Sequence, residues 1–429
     1  MAIHNIQRYV TNADDWTAAF AEASRACGID NGGIIDVPAG SYQTGTIRLP
    51  SNTMLRLQAG ATIRAHAEPG AFPLVEKAWE GRLTTAHEAL IVAENAEHVS
   101  ITGEGSIDGN GAIWWQAVRD KSPLGQIRPQ LISFRNCRDV TVEGVRLCNS
   151  PSWTIHPWRC KRVRIAGITI QNPQDAPNTD GIDPESCDGV VISDCWIDVG
   201  DDGIVLKSGM REDGEPNDHP PCENVRITRC TIVHGHGGIV IGSEMSGGVR
   251  HVRVRDCVFM DTDRGIRIKT RRGRGGFVED VKVVGLNMRN VGCPIAIYMY
   301  YRYTRLKPGD IPWVSSREAQ PVDAGTPRIR GVHFEEIVAI DATGPCLAVL
   351  YGLPESPLQN ITLRKCFLQQ RTEPDPKMSE PAMMVHMKRG DYPTCGVFAA
   401  DVCDLTLDQT VLVPRAGETM VSERVSMKA

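Results

Sequence analysis

A phrase of alternating character, apolar-x-apolar-x-x-apolar-x-apolar, recurs through most of this 429-residue chain and limits what it can fold into. It reads VTVEGVRL from Val140, VRIAGITI from Val163, VVISDCWI from Val190, VRITRCTI from Val225, VRVRDCVF from Val252 and VKVVGLNM from Val281. Further copies start at Val332 and Ile361, and an early one, VSITGEGSI, starts at Val99. Successive starts between Val140 and Val281 differ by 23, 27, 35, 27 and 29 residues, a period with insertions. Alternation marks strands, and a fixed interval without helical patterning between copies marks stacked coils. A coil of about 25 residues whose short strands pair with those of the next coil is a parallel β-helix. Such a stack also explains the length, since single compact cores stop growing at roughly 250–300 residues.

The sixth position of the phrase is Val145, Ile168, Cys195, Cys230, Cys257, Leu286, Ile337 and Cys366. Cysteine thus stands where small apolar side chains stand in other copies, as expected of an interior ladder. The 14 cysteines are spread along the chain with no CxxC pair, so free, buried thiols in a reducing compartment are expected rather than a disulfide framework.

One domain over residues 1–429 is expected. DDWTAAFAEASRACG, over about residues 14–28, has an aspartate cap and helical spacing and suits a helix closing the N-terminal end of the stack. About residues 414–429 read as a C-terminal tail. Irregular insertions are expected over Ala65–His87, Met210–Cys222, Arg305–Pro327 and Arg371–Tyr392. A net charge of −5 names no partner. The N-terminus lacks a basic stretch followed by an apolar one, and no window reaches the ~20 apolar residues of a membrane span. A cytoplasmic protein with no membrane partner is therefore expected, or a secreted or periplasmic one if a leader has been removed.

In stacked coils, residues one period apart become neighbours about 4.8 Å apart. Asp180 in NTDGID, Asp201 and Asp202 in GDDG, His236 in GHGG, and Arg267 with Lys269 in RGIRIK obey that rule and are expected on one face. Adjacent aspartates point to opposite sides of a regular strand. Gly200 and Gly203 are expected to permit the bulge that brings both to one side. Three clustered carboxylates hold at least one proton by mutual repulsion. An acid beside a base is what glycoside hydrolysis needs. Turn satisfaction by the aspartates, or a calcium site, would use the same residues; the neighbouring cations argue against calcium, and no cofactor is expected. His236 alone would suit a histidine satisfied between glycines. Arg267 and Lys269 share a strand face and suit a carboxylate ligand. The run RGIRIKTRRGRGG reads otherwise as a solvated loop or a nucleic-acid patch, weak evidence in a net-negative chain, so no nucleic-acid partner is expected.

NTDGID, DDGIVLKSG, GHGGIVIGSE and RIK, in this order and spacing, resemble the four signature blocks of the polygalacturonases and related pectin hydrolases. GEGSIDGNGAIWW, NSPSWTIHP and PAGSYQTGTIRLPSNTMLRLQAGATI are similar to its flanking segments, so the resemblance covers nearly the whole chain. It implies an all-β, right-handed parallel β-helix and inverting hydrolysis of α-1,4 bonds between galacturonic acid residues in oligo- or polygalacturonate. The resemblance makes Asp201 the general acid, Asp180 and Asp202 the holders of water, and His236 the support of the acid. Arg267 and Lys269 would bind a substrate carboxylate, with Asn178 a further substrate contact. PIAIYMYY resembles the block supplying a stacking tyrosine, placed on Tyr301 with Tyr298 and Tyr300 as competitors. FPLVEKAWEGR resembles a segment of bacterial, often exo-acting members, so exo-action is expected of a monomer or weak homo-oligomer. A hydrolase of rhamnogalacturonan or xylogalacturonan, a pectate-type lyase and a silent carbohydrate-binding solenoid are the competing readings.

Overall fold

The computed structural model describes residues 2–211, 218–303, 305–373, 375 and 380–428. The chain groups into two compact units, Met1–Asp201 and Asp202–Ala429. Each is a parallel β-helix whose coils contribute strands to three parallel sheets.

In the first unit, the strands Glu97–Gly103, Arg138–Glu143, Lys161–Ala166 and Asp188–Ser193 stack so that Val99, Val140, Val163 and Val190 face one another in register. A second sheet aligns Tyr42, Ile63, Ile107, Leu147, Ile170 and Ile197. A third joins Ile47, Ile91, Ile132 and Ile155. In the second unit Val225, Val252, Val281, Val332, Ile361 and Leu405 form the corresponding ladder. The sequence repeat is thus the hydrogen-bond register itself. Each rung buries apolar side chains inside the coil, and such burial contributes roughly 25 cal/mol per Å² of apolar surface.

The corners follow from the fifth residue of the phrase. Gly144, Gly167, Asp194, Arg229, Asp256, Gly285, Glu336 and Lys365 all take a left-handed φ between 51° and 79°. A single left-handed residue turns the strand out of one sheet and into the next. The residue that follows then points inward, and all eight sixth-position side chains are buried. Their cysteines satisfy the thiol locally: Cys195 Sγ donates to the carbonyl of Ser193 at 3.2 Å and Cys257 Sγ to that of Arg255 at 3.3 Å. All fourteen cysteines are free, twelve of them buried.

The N-terminal helix spans Thr17–Ile29, three residues later than the expected start. Asp15 Oδ1 accepts from the Thr17 backbone N–H at 2.9 Å, so the aspartate acts just ahead of the first turn. Phe20, Ala23 and Cys27 bury its inner face. A helix absent from the expectations, Ala112–Arg119, follows the GEGSIDGNG turn. The stretch read as an irregular insertion over Ala65–His87 contains an antiparallel hairpin, Leu74–Trp79 with Arg82–His87. The expected tail contains a strand, Met420–Met427, whose Met420–Val425 segment pairs with Val397–Val402. Its sequence, MVSERVSM, lacks the apolar-x-apolar phrase because it has a neighbour on one side only and is largely exposed. Within the insertions expected at Met210–Cys222 and Arg371–Tyr392, residues 212–217, 374 and 376–379 lie outside the described residues.

Candidate active site

In the first unit, Asp180 follows a turn whose shape is set by hydrogen bonds. Thr179 Oγ1 donates to the carbonyl of Ala176 at 2.9 Å and accepts from the backbone N–H of Gly200 at 3.2 Å. Thr154 N–H donates to the carbonyl of Asp180 at 2.8 Å. These contacts tie the turn before Asp180 to the residue before Asp201. Asp180 is buried and Asp201 half-buried, and their carboxylates bring oxygens within 4.8 Å of each other.

The expected bulge does not occur. The strand begins at Asp202, so Asp201 lies in the bend before it and is exempt from alternation. Neither Gly200 nor Gly203 takes a left-handed φ. Gly200 is required by close approach: a Cβ there would stand 2.5 Å from the carbonyl oxygen of Ala176 and 2.7 Å from that of Pro173. Gly203 likewise admits the carbonyl of Gly238, 2.7 Å from where its Cβ would be.

Asn178 takes a left-handed φ of 55°, and its Oδ1 accepts from Arg128 Nη2 at 2.7 Å. Arg128 is a component the sequence reading missed. It belongs to no copy of the repeat, and GQIRPQ carries no spacing signal.

In the second unit, Asp202 is 1% exposed with a cation on each oxygen. Lys269 Nζ donates to Oδ2 at 2.7 Å and Arg267 Nη1 to Oδ1 at 3.2 Å. Burial alone would raise the pKa of Asp202, but Lys269 and Arg267 outweigh it and hold the carboxyl well below the ordinary carboxylate range. Conversely, burial pulls the Arg267 and Lys269 pKa values down and nearby groups, Asp202 among them, push both above their ordinary values. Gly237, opposite Asp202 in the ladder, makes the approach possible, since a Cβ there would lie 3.0 Å from Asp202 Oδ1 and 3.5 Å from Arg267 Cδ.

Three tyrosines separate by role. Tyr298 is fully buried, and its hydroxyl accepts from Arg267 Nε at 3.0 Å, so it is a strut for the guanidinium. Tyr300 packs elsewhere, against Tyr351 and His386. Tyr301 is the ring that covers the cations: Lys269 Nζ lies 5.3 Å and Arg267 Cζ 5.8 Å from its centroid. Of the three, Tyr301 lies against both cations, while the Tyr298 ring lies 6.0 Å from Arg267 Cζ.

His236 is about half exposed and precedes the strand Gly237–Gly242. Its Nδ1 lies 2.8 Å from Oδ2 of Asp263, a partner that the sequence reading did not include. A carboxylate on Nδ1 fixes the tautomer and turns Nε2 outward. Asp263 stands 27 residues after His236, one coil on, and that spacing was its available signal.

The basic run is neither a solvated loop nor a nucleic-acid patch. Arg264, Arg267, Lys269, Arg271, Arg272 and Arg274 are each at most 7% exposed. Arg272 forms a forked pair with Glu355 at 2.6 and 2.9 Å and donates to the carbonyls of Trp313, Val314 and Ser316. This run is interior scaffolding that carries Arg267 and Lys269.

Among the described residues of the first unit, Asp180 and Asp201 bring carboxylate oxygens close enough to share a cation, and Arg128 already stands in attraction with both. In the second unit Asp202 is occupied by Lys269 and Arg267. The chemistry available is that of paired carboxyl groups in the first unit and of an ionised, cation-held carboxylate in the second.

Comparison with known proteins agrees with this chemistry. Residues 27–313 match the model of "Glycosyl hydrolases family 28". A Vitis vinifera protein named "Probable polygalacturonase" is 34% identical over 358 residues, covering 82% of this chain and 70% of its own length. An endo-polygalacturonase of Pectobacterium carotovorum subsp. carotovorum is 31% identical over 314 residues, covering 68% of this chain and 74% of its own. The crystal structure of an exopolygalacturonase from Thermotoga maritima superposes with a TM-score of 0.76 at 27% identity, over 96% of this chain and 91% of that one. Family match, relatives and fold agree with one another, and the chain belongs to glycosyl hydrolases family 28, as a glycoside hydrolase of the polygalacturonase type.

Proposed function

We propose that the protein hydrolyses α-1,4 bonds between galacturonic acid residues in pectin-derived oligo- or polygalacturonate, acting from a chain end and with inversion at the anomeric carbon. Asp201 donates the proton to the leaving oxygen, Asp180 and Asp202 hold and activate water, and His236, oriented by Asp263, supports the acid. Arg267 and Lys269 bind a uronate carboxylate, with Tyr301 as the aromatic face against which its ring rests.

The observation that carries this reading is the pair of cations on Asp202. A carboxylate held ionised cannot be the proton donor, which takes that role from Asp202, and of the two that remain the resemblance gives it to the half-buried Asp201. The exo mode is supported by likeness to the Thermotoga maritima exopolygalacturonase. The hairpin Leu74–Trp79 and Arg82–His87 supports it too, because Trp79 stacks on Trp153 at 4.6 Å between ring centroids and raises a wall in the unit that carries Asp180.

Defined oligogalacturonides followed by NMR test all parts. Monomer alone throughout the time course, appearing first as the β-anomer, is the expected result. Mixed oligomers mean endo cleavage, an initial α-anomer means retention, and an ultraviolet-absorbing unsaturated product means a lyase.

A further inference from the structure

Arg128 is a buried cation in the first unit, 4% exposed, and its donors are committed to the protein. Its Nε donates to the carbonyl of Gly125 at 2.9 Å, and its Nη1 to those of Pro151 at 3.1 Å and Pro177 at 2.7 Å. Nη2 donates to Asn178 Oδ1 at 2.7 Å. One guanidinium thus spans the segment before the strand Ile132–Arg135, the loop before Ile155–Trp158 and the turn that leads to Asp180. The hairpin holds it from the other side: the ring of Trp79 lies 5.7 Å from the guanidinium carbon, and buried Lys77 donates to the backbone carbonyl of Arg128 at 3.3 Å.

A side chain that ties three segments together is well suited to set a geometry. We propose that Arg128 is a positioning residue for hydrolysis: it clamps the Pro177–Asn178 turn so that Asp180 is delivered to the reacting water. The inference rests on Asp180 being the acceptor of the water proton. It also gives Asn178 a definite part, since an Oδ1 held by Arg128 leaves the amide N–H groups of Asn178 to turn elsewhere.

The charges around the pair come from several elements. Burial lowers the pKa of Arg128 to about 10, while Asp180, Glu80 at the hairpin turn and Asp201 pull it back up. The guanidinium therefore stays positive at neutral pH. Lys77 is lowered by burial to about 7, with Glu88 opposing. Asp180 itself faces Arg128 and Asp201, with Asp202 bonded to the latter.

Loosening the clamp misplaces Asp180, and a misplaced reacting group costs rate rather than binding. Arg128→Met should lower kcat by about tenfold or more, with KM nearly unchanged. Arg128→Lys keeps the charge and loses the fork, so its kcat should also fall about tenfold. Both variants are followed on an oligogalacturonide, with thermal unfolding as the check on folding. A folded Arg128→Met that raises KM and leaves kcat unchanged overturns the proposal, as does an Arg128→Lys with wild-type kcat, which remains decisive if the Met variant does not fold. Asp180→Asn separates this from the reading beneath it: near-normal turnover there removes Asp180 from the mechanism altogether.

Discussion

Lys269 Nζ and Asp202 Oδ2 lie 2.7 Å apart with both side chains buried, and Arg267 closes on the other oxygen at 3.2 Å. Removing one member of a buried charge group leaves the others uncompensated and costs about 3–5 kcal/mol. Asp202→Asn should therefore lower the urea midpoint at pH 7 as well as turnover, and Asp202→Asn with Lys269→Met should recover part of the loss because the two effects couple. The folded pKa of Asp202 is depressed, so its stabilisation is fully present above the unfolded carboxyl value near 3.9, begins to fall below it and is lost only as pH drops through the folded value. Urea titrations at pH 7, 5 and 3 should show the gap between wild type and Asp202→Asn constant over the first two and narrower at the third. An equal gap at all three would contradict the ion-pair assignment.

Residues that carry a period were legible, and those that serve it from outside were not. Val140, Val163 and Val190 announced their register because each rung must bury the same kind of side chain at the same place. The spacing read for Arg267 did not give its rung: its register partner is Val240, and it reaches Asp202 through the length of its side chain. Gly200 was noticed but misread: φ is a local property, whereas its constraint is the carbonyl of Ala176, which belongs to a turn that sequence spacing does not locate. Arg128 and the hairpin were invisible as site elements because their partners, Gly125, Pro151 and Trp153 among them, lie outside the repeating phrase. The basic run was ambiguous because burial of Arg272 depends on Glu355, 83 residues away.

Gly200→Ala tests whether the approach of the two segments matters for chemistry. The added Cβ meets backbone oxygen at 2.5, 2.7 and 3.0 Å, from Ala176, Pro173 and Gln174, none of which is the end of a flexible side chain. Overpacking of this kind costs typically ~1–3 kcal/mol. A 1 Å misplacement of a reacting group can cost about a hundredfold in rate. The expected variant is folded and destabilised, with kcat reduced far more than KM is raised. Wild-type kcat in Gly200→Ala would show that Asp201 tolerates displacement of the 173–176 turn.

The His236–Asp263 contact predicts a tautomer effect. Replacing the Asp263 carboxylate with an amide keeps the size but removes the negative charge that selects a protonated Nδ1. Second-layer partners of this type are worth about 10–100-fold. Asp263→Asn should lower kcat within that range, whereas His236→Ala should lower kcat at least as much and make a further Asp263→Asn change nearly silent. Additive losses in the double variant would separate the two residues functionally.

Thiol chemistry offers the last test, since it reads the corner ladder directly. A thiol must ionise to attack a disulfide reagent. Hydrogen bonding to Cys160 and burial raise Cys137 well above its usual range, and burial raises Cys148 to about 11. Cys148 and Cys403 are the two that are not buried. Titration of the native protein with an aromatic disulfide at pH 7.5 should therefore find at most two slowly reacting thiols, and all fourteen after denaturation in urea. Because none is oxidised in the fold, reductant should leave the thermal midpoint where it is. Rapid native labelling of four or more thiols would mean that the coil corners open readily, and the inward register of Cys195, Cys230, Cys257 and Cys366 would have to be given up.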